Sequence, residues 1–196
     1  MTPYSVNFSK FHYMNRLIST CLRVLFFMVF MTNGIPLFCQ NSLPLENGSF
    51  EGVKTDGISF WWWNHQLKNG GAANFSVATS DLIPGSEKAL KAEILSLGTN
   101  LYDVQTYSAY KFEVVAGQTY TISFYAKTDA PSEAPLKLIF QSDVAGSFQA
   151  TNFSIDTSWK RYFHTFTATA NSSLNQFKFW YLQAGISYYL DEVSVV

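Results

Sequence analysis

Apolar and polar residues alternate over several short stretches of this chain, and the alternation is clearest from residue 89 onwards. The stretches are Leu90–Ile94, Tyr120–Ala126, Leu136–Phe140 and Phe177–Leu182. Strict alternation is typical of β-strands that bury one face. No run of a dozen residues shows helical periodicity with capping residues.

Turn-forming residues separate the alternating stretches. They are Asn69-Gly70-Gly71, Pro84-Gly85-Ser86, Ala116-Gly117-Gln118, Ala145-Gly146-Ser147 and Ala184-Gly185. Many short strands joined by such turns are typical of two packed sheets. The pattern therefore predicts an all-β fold, a jelly-roll β-sandwich of two antiparallel sheets.

The first 39 residues do not fit this pattern. Lys10 and Arg16 precede an apolar run, Val24–Met31, which is too short for the roughly 20 residues that span a bilayer. Turn-prone residues at Asn33–Pro36 follow it. A basic stretch, a short apolar run and such an exit predict a signal peptide over residues 1–39. We expect a secreted domain over residues 40–196.

Three alternatives for the N-terminus stay open. The apolar run could be an uncleaved membrane anchor, or Met14 could be the true start, because residues 14–39 form a complete signal alone. Cys39 could be lipidated, although the bulky Phe38 before it fits a lipidation motif poorly.

Cleavage after Cys39 changes the charge and the redox chemistry of the chain. Three of the 13 basic residues leave and no acid leaves, so ten face 14 acids and the net charge becomes −4. Both cysteines also leave, so disulfides cannot stabilise the exported domain. A mildly acidic chain without a basic cluster indicates no nucleic-acid partner. We also expect no membrane contact after cleavage, and a monomer.

Several motifs in order resemble the CenC-type carbohydrate-binding modules of families four, nine and twenty-two. The motifs are Asn47–Glu51, Gly85–Lys91, Leu101–Gln105, Val115–Lys127, Thr157–Tyr162 and Tyr188–Val195. The resemblance covers about residues 45–196 and implies a jelly-roll β-sandwich. It also implies non-catalytic binding of a polysaccharide of the β-glucan or xylan type.

The resemblance implies a structural calcium ion that joins the first and last strands. The matching ligands are the side chains of Glu51 and Asp191 and backbone carbonyls around Ser49 and Lys88. Calcium prefers six to eight oxygen ligands, and two buried carboxylates without a cation would repel each other. The alternatives are two exposed acids, or an ion pair with Lys88.

Candidate sugar ligands combine flat rings with amide side chains. A pyranose has an apolar C–H face, which suits an aromatic ring, and hydroxyls, which suit groups that both donate and accept hydrogen bonds. The candidates that match family positions or lie near them are Tyr102, Gln105, Tyr181, Gln183, Trp63, Phe148 and Gln149. With 18 Phe, 11 Tyr and 5 Trp in the chain, most aromatic residues must belong to the core. In Trp61-Trp62-Trp63, alternation predicts at least one core ring and at least one exposed ring.

No motif for catalysis is found. The predicted domain contains two histidines, His65 and His164, and no cysteine, nucleophile elbow or phosphate-binding loop. Two carboxylates suffice for glycoside hydrolysis, so a small glycosidase or lyase using Asp103 or Asp143 is the first alternative function. Asp103 could equally fix its own loop through hydrogen bonds to the backbone. The second alternative is an adhesion domain that keeps the fold without binding sugar.

Overall fold

A computed structural model describes residues 47–57, 59–60, 62–109, 112–129, 133–142 and 148–196; for Phe148 and Gln149 it describes the backbone alone. These residues belong to one compact unit, Asn41–Val196. The signal peptide predicted for residues 1–39 lies outside the described residues. Among the residues described, no helix has the length and apolar character needed to cross a membrane.

The described part of the chain forms eleven β-strands. They are β1 (Trp63–Leu67), β2 (Gly71–Ala78), β3 (Ala89–Leu97), β4 (Val104–Ser108), β5 (Phe112–Val114), β6 (Thr119–Thr128), β7 (Ala134–Gln141), β8 (Phe148–Ile155), β9 (Lys160–Thr167), β10 (Ser172–Tyr181) and β11 (Ile186–Val195).

The strands form two antiparallel sheets. The first sheet has the order β1-β4-β10-β7-β8, and β5 pairs with the beginning of β10. The second sheet has the order β2-β3-β11-β6-β9. Neighbours in each sheet are mostly distant in sequence, as in a jelly roll. The predicted all-β sandwich of two antiparallel sheets is confirmed.

The alternation read from the sequence corresponds to burial in the core. In β3, Leu90, Ala92 and Ile94 are buried, whereas Lys91 and Glu93 between them reach the outside. β3 therefore contributes every second residue to the core between the sheets, and β10 does the same from Asn175 onwards. Aromatic rings fill much of this core; Phe124, for example, contacts Phe179 from the opposite sheet with ring centroids 5.0 Å apart.

The segment around Asn47–Phe50 packs against the last strand. The carbonyl of Gly48 accepts a hydrogen bond of 2.8 Å from the backbone of Val193. At this point β11 has an irregular register between Asp191 and Ser194, and Glu192 adopts a left-handed backbone with φ of 49°. The beginning and the end of the described domain therefore meet, as the resemblance implied.

Candidate functional site

The first sheet carries mostly polar and aromatic side chains on the face turned away from the core, which we call the outer face. Strand register places its residues in rows, because residues directly opposite each other in antiparallel strands share a face. One row runs Gln66, Gln105, Trp180, Lys137, Asn152 and the next runs Asn64, Tyr107, Lys178, Ile139, Ala150. Gln176 and Gln141 begin a third row. Rings, amides and ammonium groups therefore lie side by side over five strands.

Trp180 is held at the centre of the outer face. Its indole Nε1 donates a hydrogen bond of 3.1 Å to Oε1 of Gln105. The ring of Tyr102 stands 5.8 Å away at 59°, and the Tyr102 side chain is 46% exposed. Two aromatic rings of different orientation thus border the same part of the face.

Gln105 connects the Trp180 ring to the backbone of Tyr102. Its Nε2 donates a hydrogen bond of 3.0 Å to the carbonyl of Tyr102, to which Gln66 also donates at 3.3 Å. Gln105 is only 4% exposed, and both ends of its amide are already engaged. We therefore correct its predicted role: Gln105 orients Tyr102 and Trp180 and does not face a ligand.

Asp103 fixes the loop that carries Tyr102. Its buried carboxylate accepts hydrogen bonds from the backbones of Thr99 and Asn100 and from the side chains of Asn69 and Asn100. Gly98 begins this loop with φ of +80°, and a Cβ there would lie 2.8 Å from that of Asp103. Burial opposes ionisation, but the hydrogen bonds outweigh it, so the pKa of Asp103 is lowered.

These contacts assign Asp103 a structural role. A general acid must hold a proton near neutral pH and reach the substrate. Asp103 does neither, because its lowered pKa keeps it ionised and its oxygens are turned towards the loop. Asp143, the other acid considered for catalysis, lies outside the described residues.

Tyr181 does not lie on the outer face, and its predicted contact with sugar is wrong. Its side chain is 1% exposed, and its ring packs 5.2 Å from Tyr188 of the second sheet. Its hydroxyl shares a hydrogen bond of 2.9 Å with Thr106. The alternation in β10 explains the error, because Phe177, Phe179 and Tyr181 form the buried row.

Trp63 is also a core residue, contrary to its prediction as a ligand. Its ring packs 4.9 Å from Phe50, and its Nε1 donates to the carbonyl of Asn47 at 3.0 Å. Its neighbour Trp62 is exposed. The prediction that this tryptophan run contains a core ring and an exposed ring is therefore confirmed, with Trp62 as the exposed one.

The remaining predicted ligands lie at the ends of strands of the first sheet. Gln183 is half-buried and follows the end of β10, so it is not on a strand as expected. Phe148 and Gln149 begin β8, where their backbones pair with Gln141 and Phe140. Their side chains lie outside the described residues, so their predicted role stays a prediction.

Two rings of the outer face were not predicted as ligands, namely Trp180 and Tyr107. The signal was present in the sequence, because Trp180 alternates with the buried row of β10 and shares its face with Lys178. Because lysine side chains are almost never fully buried, Lys178 indicates that the row containing it and Trp180 faces solvent. Two ammonium groups accompany these rings: Lys137 Nζ lies 5.5 Å from the Trp180 ring centroid, and Lys178 Nζ lies 5.7 Å from that of Tyr107.

The expected calcium ligands come together, but the Glu51 side chain has other partners. Its Oε1 accepts hydrogen bonds from Ser86 Oγ and from the backbones of Glu87 and Lys88, at 2.8–3.1 Å. Its Oε2 forms an ion pair of 3.5 Å with Lys88 Nζ. These hydrogen bonds oppose the cost of burial and lower the pKa of Glu51. The structure therefore contains the ion pair between Glu51 and Lys88 that the sequence left as an alternative.

Asp191 supplies the observation that fits a cation. Its Oδ1 accepts a hydrogen bond from the backbone of Glu192, while its buried Oδ2 has no hydrogen-bond partner. Burial raises the pKa of Asp191 to about 6, and the charges of Glu192 and Glu51 add to the rise. Hard oxygen ligands with one buried, unpartnered carboxylate oxygen suit Ca²⁺. Across the described ranges, no group of three or more His, Cys, Asp or Glu side chains forms a metal cluster.

Solved structures of several sugar-related proteins have the same fold. A structure titled "CBM4 structure and function" matches with a TM-score of 0.57 and 20% identity, over 77% of this chain and 97% of that one. The CBM22-1 xylan-binding domain of Paenibacillus barcinonensis Xyn10C matches with a TM-score of 0.51 and 19% identity, over 75% and 89%.

A third match is part of a larger protein. An arabinose-bound MgGH51 α-L-arabinofuranosidase matches with a TM-score of 0.61 and 18% identity, over 79% of this chain but only 26% of that one. At these identities the likeness establishes the fold alone. Among curated proteins, none matches this sequence.

The family model gives the more specific result. The model described as "Carbohydrate binding domain" matches residues 44–183, which include every strand that forms the outer face. This range also includes Tyr102, Gln105 and Trp180, the residues that organise its centre. The chain therefore belongs to the CBM_4_9 family of carbohydrate-binding domains.

Proposed function

We propose that the outer face binds a polysaccharide of the β-glucan or xylan type without changing it chemically. The family is one of non-catalytic binding domains. The observation that carries the placement is the pair formed by Tyr102 and Trp180, because one buried glutamine bonds to the Trp180 indole and to the backbone of Tyr102. The xylan-binding domain among the structural neighbours supports including xylan among the ligands to be tested.

The chemistry of the face suits a sugar chain. The apolar C–H side of a pyranose packs on an aromatic ring, and preorganised rings lose little rotamer freedom when they bind. Gln176, Gln141 and Asn152 add side-chain amides, each of which donates and accepts hydrogen bonds. Because the rows extend over five strands, several sugar units can contact the face at once.

A binding experiment tests the proposal. At least one affinity gel containing soluble β-glucan, xylan or mannan should retard the wild-type domain, and the same gel should retard Trp180→Ala and Tyr102→Ala less. Phe163→Ala is the matched control, because Phe163 is 67% exposed on β9 of the other sheet. Folded wild-type protein that is not retarded by any glycan would contradict the proposal.

The two alternative functions give different results in the same experiment. A glycosidase or lyase would release reducing ends or unsaturated products, which an incubation with each polysaccharide would reveal. An adhesion domain without sugar binding would keep its interactions when both Tyr102 and Trp180 are replaced by alanine. We expect neither outcome.

We also propose that a structural calcium ion binds beside Asp191. Asp191, Glu51 and the carbonyls of Ser49 and Lys88 would supply protein oxygens, and water would complete the coordination. The partnerless Oδ2 of Asp191 supports this assignment. Calcium at about 100 times its Kd should stabilise the domain by about 2.7 kcal/mol, and this gain should disappear in Asp191→Asn. Equal melting temperatures in calcium and in chelator would contradict it.

We finally propose that residues 1–39 are a signal peptide and that the domain is secreted as a monomer. The basic and apolar pattern before Cys39 supports this proposal. N-terminal sequencing of protein recovered from the medium should begin at Gln40, and light scattering should give the mass of one domain. Protein retained in the membrane with an intact N-terminus would contradict secretion.

A further inference from the structure

The charge of the outer face differs from that of the chain as a whole. The chain carries 14 acidic and 13 basic residues, a net charge of −1. On the outer face, β1, β4, β7, β8 and the part of β10 from Gln176 onwards contribute Lys137 and Lys178 but no described carboxylate. Glu113 of β5, which pairs with Ser172–Asn175, lies roughly 10 Å or more along β10 from Lys178.

The two ammonium groups lie where a ligand would lie. Lys137 is directly opposite Trp180, and Lys178 is two residues from Trp180 on the same strand and face. Each ammonium is within 6 Å of the centre of an aromatic ring of the outer face, the distance of a cation–π contact. A sugar that packs on Trp180 therefore has both positive charges within reach.

Among the residues that the structure describes, no carboxylate forms an ion pair with either of these ammonium groups. The ion pairs among the described residues join Lys88 to Glu51, Lys127 to Asp81 and Lys160 to Asp156, and none includes Lys137 or Lys178. A third cation, Lys68, follows β1, and its positive charge repels that of Lys178. Burial and the charge of Lys68 lower the pKa of Lys178. A negatively charged ligand would relieve this repulsion.

We propose that the outer face prefers polysaccharides that carry negatively charged substituents, carboxylates or sulfates, near the sugar that packs on Trp180. This inference rests on the proposed function and specifies the class of its ligand. Lysine is a flexible point charge, so it suits either anion and does not require the fixed geometry of an arginine–carboxylate pair. Substituents of either kind would approach Lys137 and Lys178 from the solvent side.

Matched pairs of polysaccharides test the preference. One pair is glucuronoxylan and the same material after reduction of its carboxyl groups, and the other is a soluble β-glucan and its sulfated derivative. Titration calorimetry should show tighter binding of the charged member of at least one pair. This preference should shrink at about 0.5 M salt, where the Debye length falls to several ångströms.

Protein variants assign the preference to the outer face. Lys137→Gln/Lys178→Gln should weaken binding of the charged polysaccharide by about fivefold per ammonium beyond any loss for the neutral member of the pair, so the ratio of the two affinities should fall. Lys91→Gln is the matched control, because Lys91 also lies over a tyrosine ring, that of Tyr189, but on the second sheet. Trp180→Ala should weaken both members of a pair.

The outcomes separate the inference from the proposed function. Equal affinity for the members of both pairs, or an unchanged preference in the double lysine variant, overturns the inference and leaves polysaccharide binding in place. Charged polymers that bind Trp180→Ala as tightly as wild type overturn it too, since the attraction is then a general one. Failure to bind any polysaccharide, charged or neutral, overturns the proposed function and the inference with it.

Discussion

Acidification should destabilise the domain through His65, a residue that joins the two sheets. His65 lies in β1, and its ring stacks at 3.8 Å on Phe75 of β2 in the other sheet. Its Nδ1 shares a hydrogen bond of 3.0 Å with Thr106, whose hydroxyl also contacts Tyr181, and its buried Nε2 has no partner. Burial, with a smaller effect from Lys54, lowers the pKa of His65 to about 4.

The size of the effect follows from this shift. The unfolded chain binds a proton near pH 6.5, but the folded domain does so only near pH 4. The stability from neutral His65 is therefore complete above pH 6.5 and is lost as the pH falls towards 4. A shift of about 2.5 units corresponds to about 3 kcal/mol at 1.36 kcal/mol per unit. For a domain of this size the melting temperature should fall by roughly 6–12 °C from this group alone.

Urea unfolding between pH 4 and 7 measures the effect, with His65→Phe and His65→Gln as reference variants. Both variants remove the titrating group, and the phenyl ring retains a stack on Phe75. His164, whose pKa burial also lowers, still titrates in the variants, so subtracting their curves isolates His65. The difference between wild type and each variant should change by about 3 kcal/mol across this range. Parallel stability curves would refute the reasoning.

Three further substitutions test the assignments made from the structure. Tyr102→Ala should reduce glycan affinity by about two- to tenfold with little change in melting temperature, because stacking on an exposed ring contributes about 0.5–1.5 kcal/mol. Tyr181→Ala should instead lower the free energy of unfolding by about 3–5 kcal/mol in a urea titration, and the same loss from Tyr102→Ala would contradict the assignment. Asp103→Ala should speed hydrogen exchange at Thr99 and Asn100 and weaken glycan binding; unchanged exchange would show that the loop does not depend on this carboxylate. Gly98→Ala should destabilise more than Gly117→Ala, because both glycines have φ near +80° but only Gly98 has Asp103 against its missing Cβ; equal effects would exclude that contact.

Alternation in the sequence was sufficient to predict an all-β fold of two sheets, because strands such as β3 and β10 each have one apolar row. The β3 residues Leu90, Ala92 and Ile94 were read as one face, and all three are buried. The meeting of Glu51 and Asp191 followed from the resemblance and could not come from alternation. It depends on the irregular register of β11 and on the contact of Gly48 with Val193, which are tertiary features.

The candidate site was predicted less well, because a motif identifies a loop but does not show which of its side chains point to solvent. The motif pointed to the loop that contains Tyr102, Asp103 and Gln105, and this loop borders the outer face. Of these three side chains, Tyr102 is exposed, while Asp103 and Gln105 turn inwards and hold the loop. A polar residue beside a sugar-binding ring can either hold that ring's loop in place or contact the sugar itself. Only the hydrogen bonds of the folded chain distinguish the two roles.

The alternation of β10 decides which of its aromatic residues face solvent. The residue types in its two rows are enough to tell the buried row from the exposed one. One row contains Phe177, Phe179 and Tyr181, and the other contains Lys178 and Trp180 with Gln176. Burying the second row would place an ammonium group in an apolar core without a counter-ion, at a cost far above that of exposing one tyrosine. The row with the lysine must therefore face water, and any ring within it becomes the ring that a ligand can reach. By this argument Trp180, not Tyr181, is the aromatic residue of β10 that faces solvent and is available to a sugar chain.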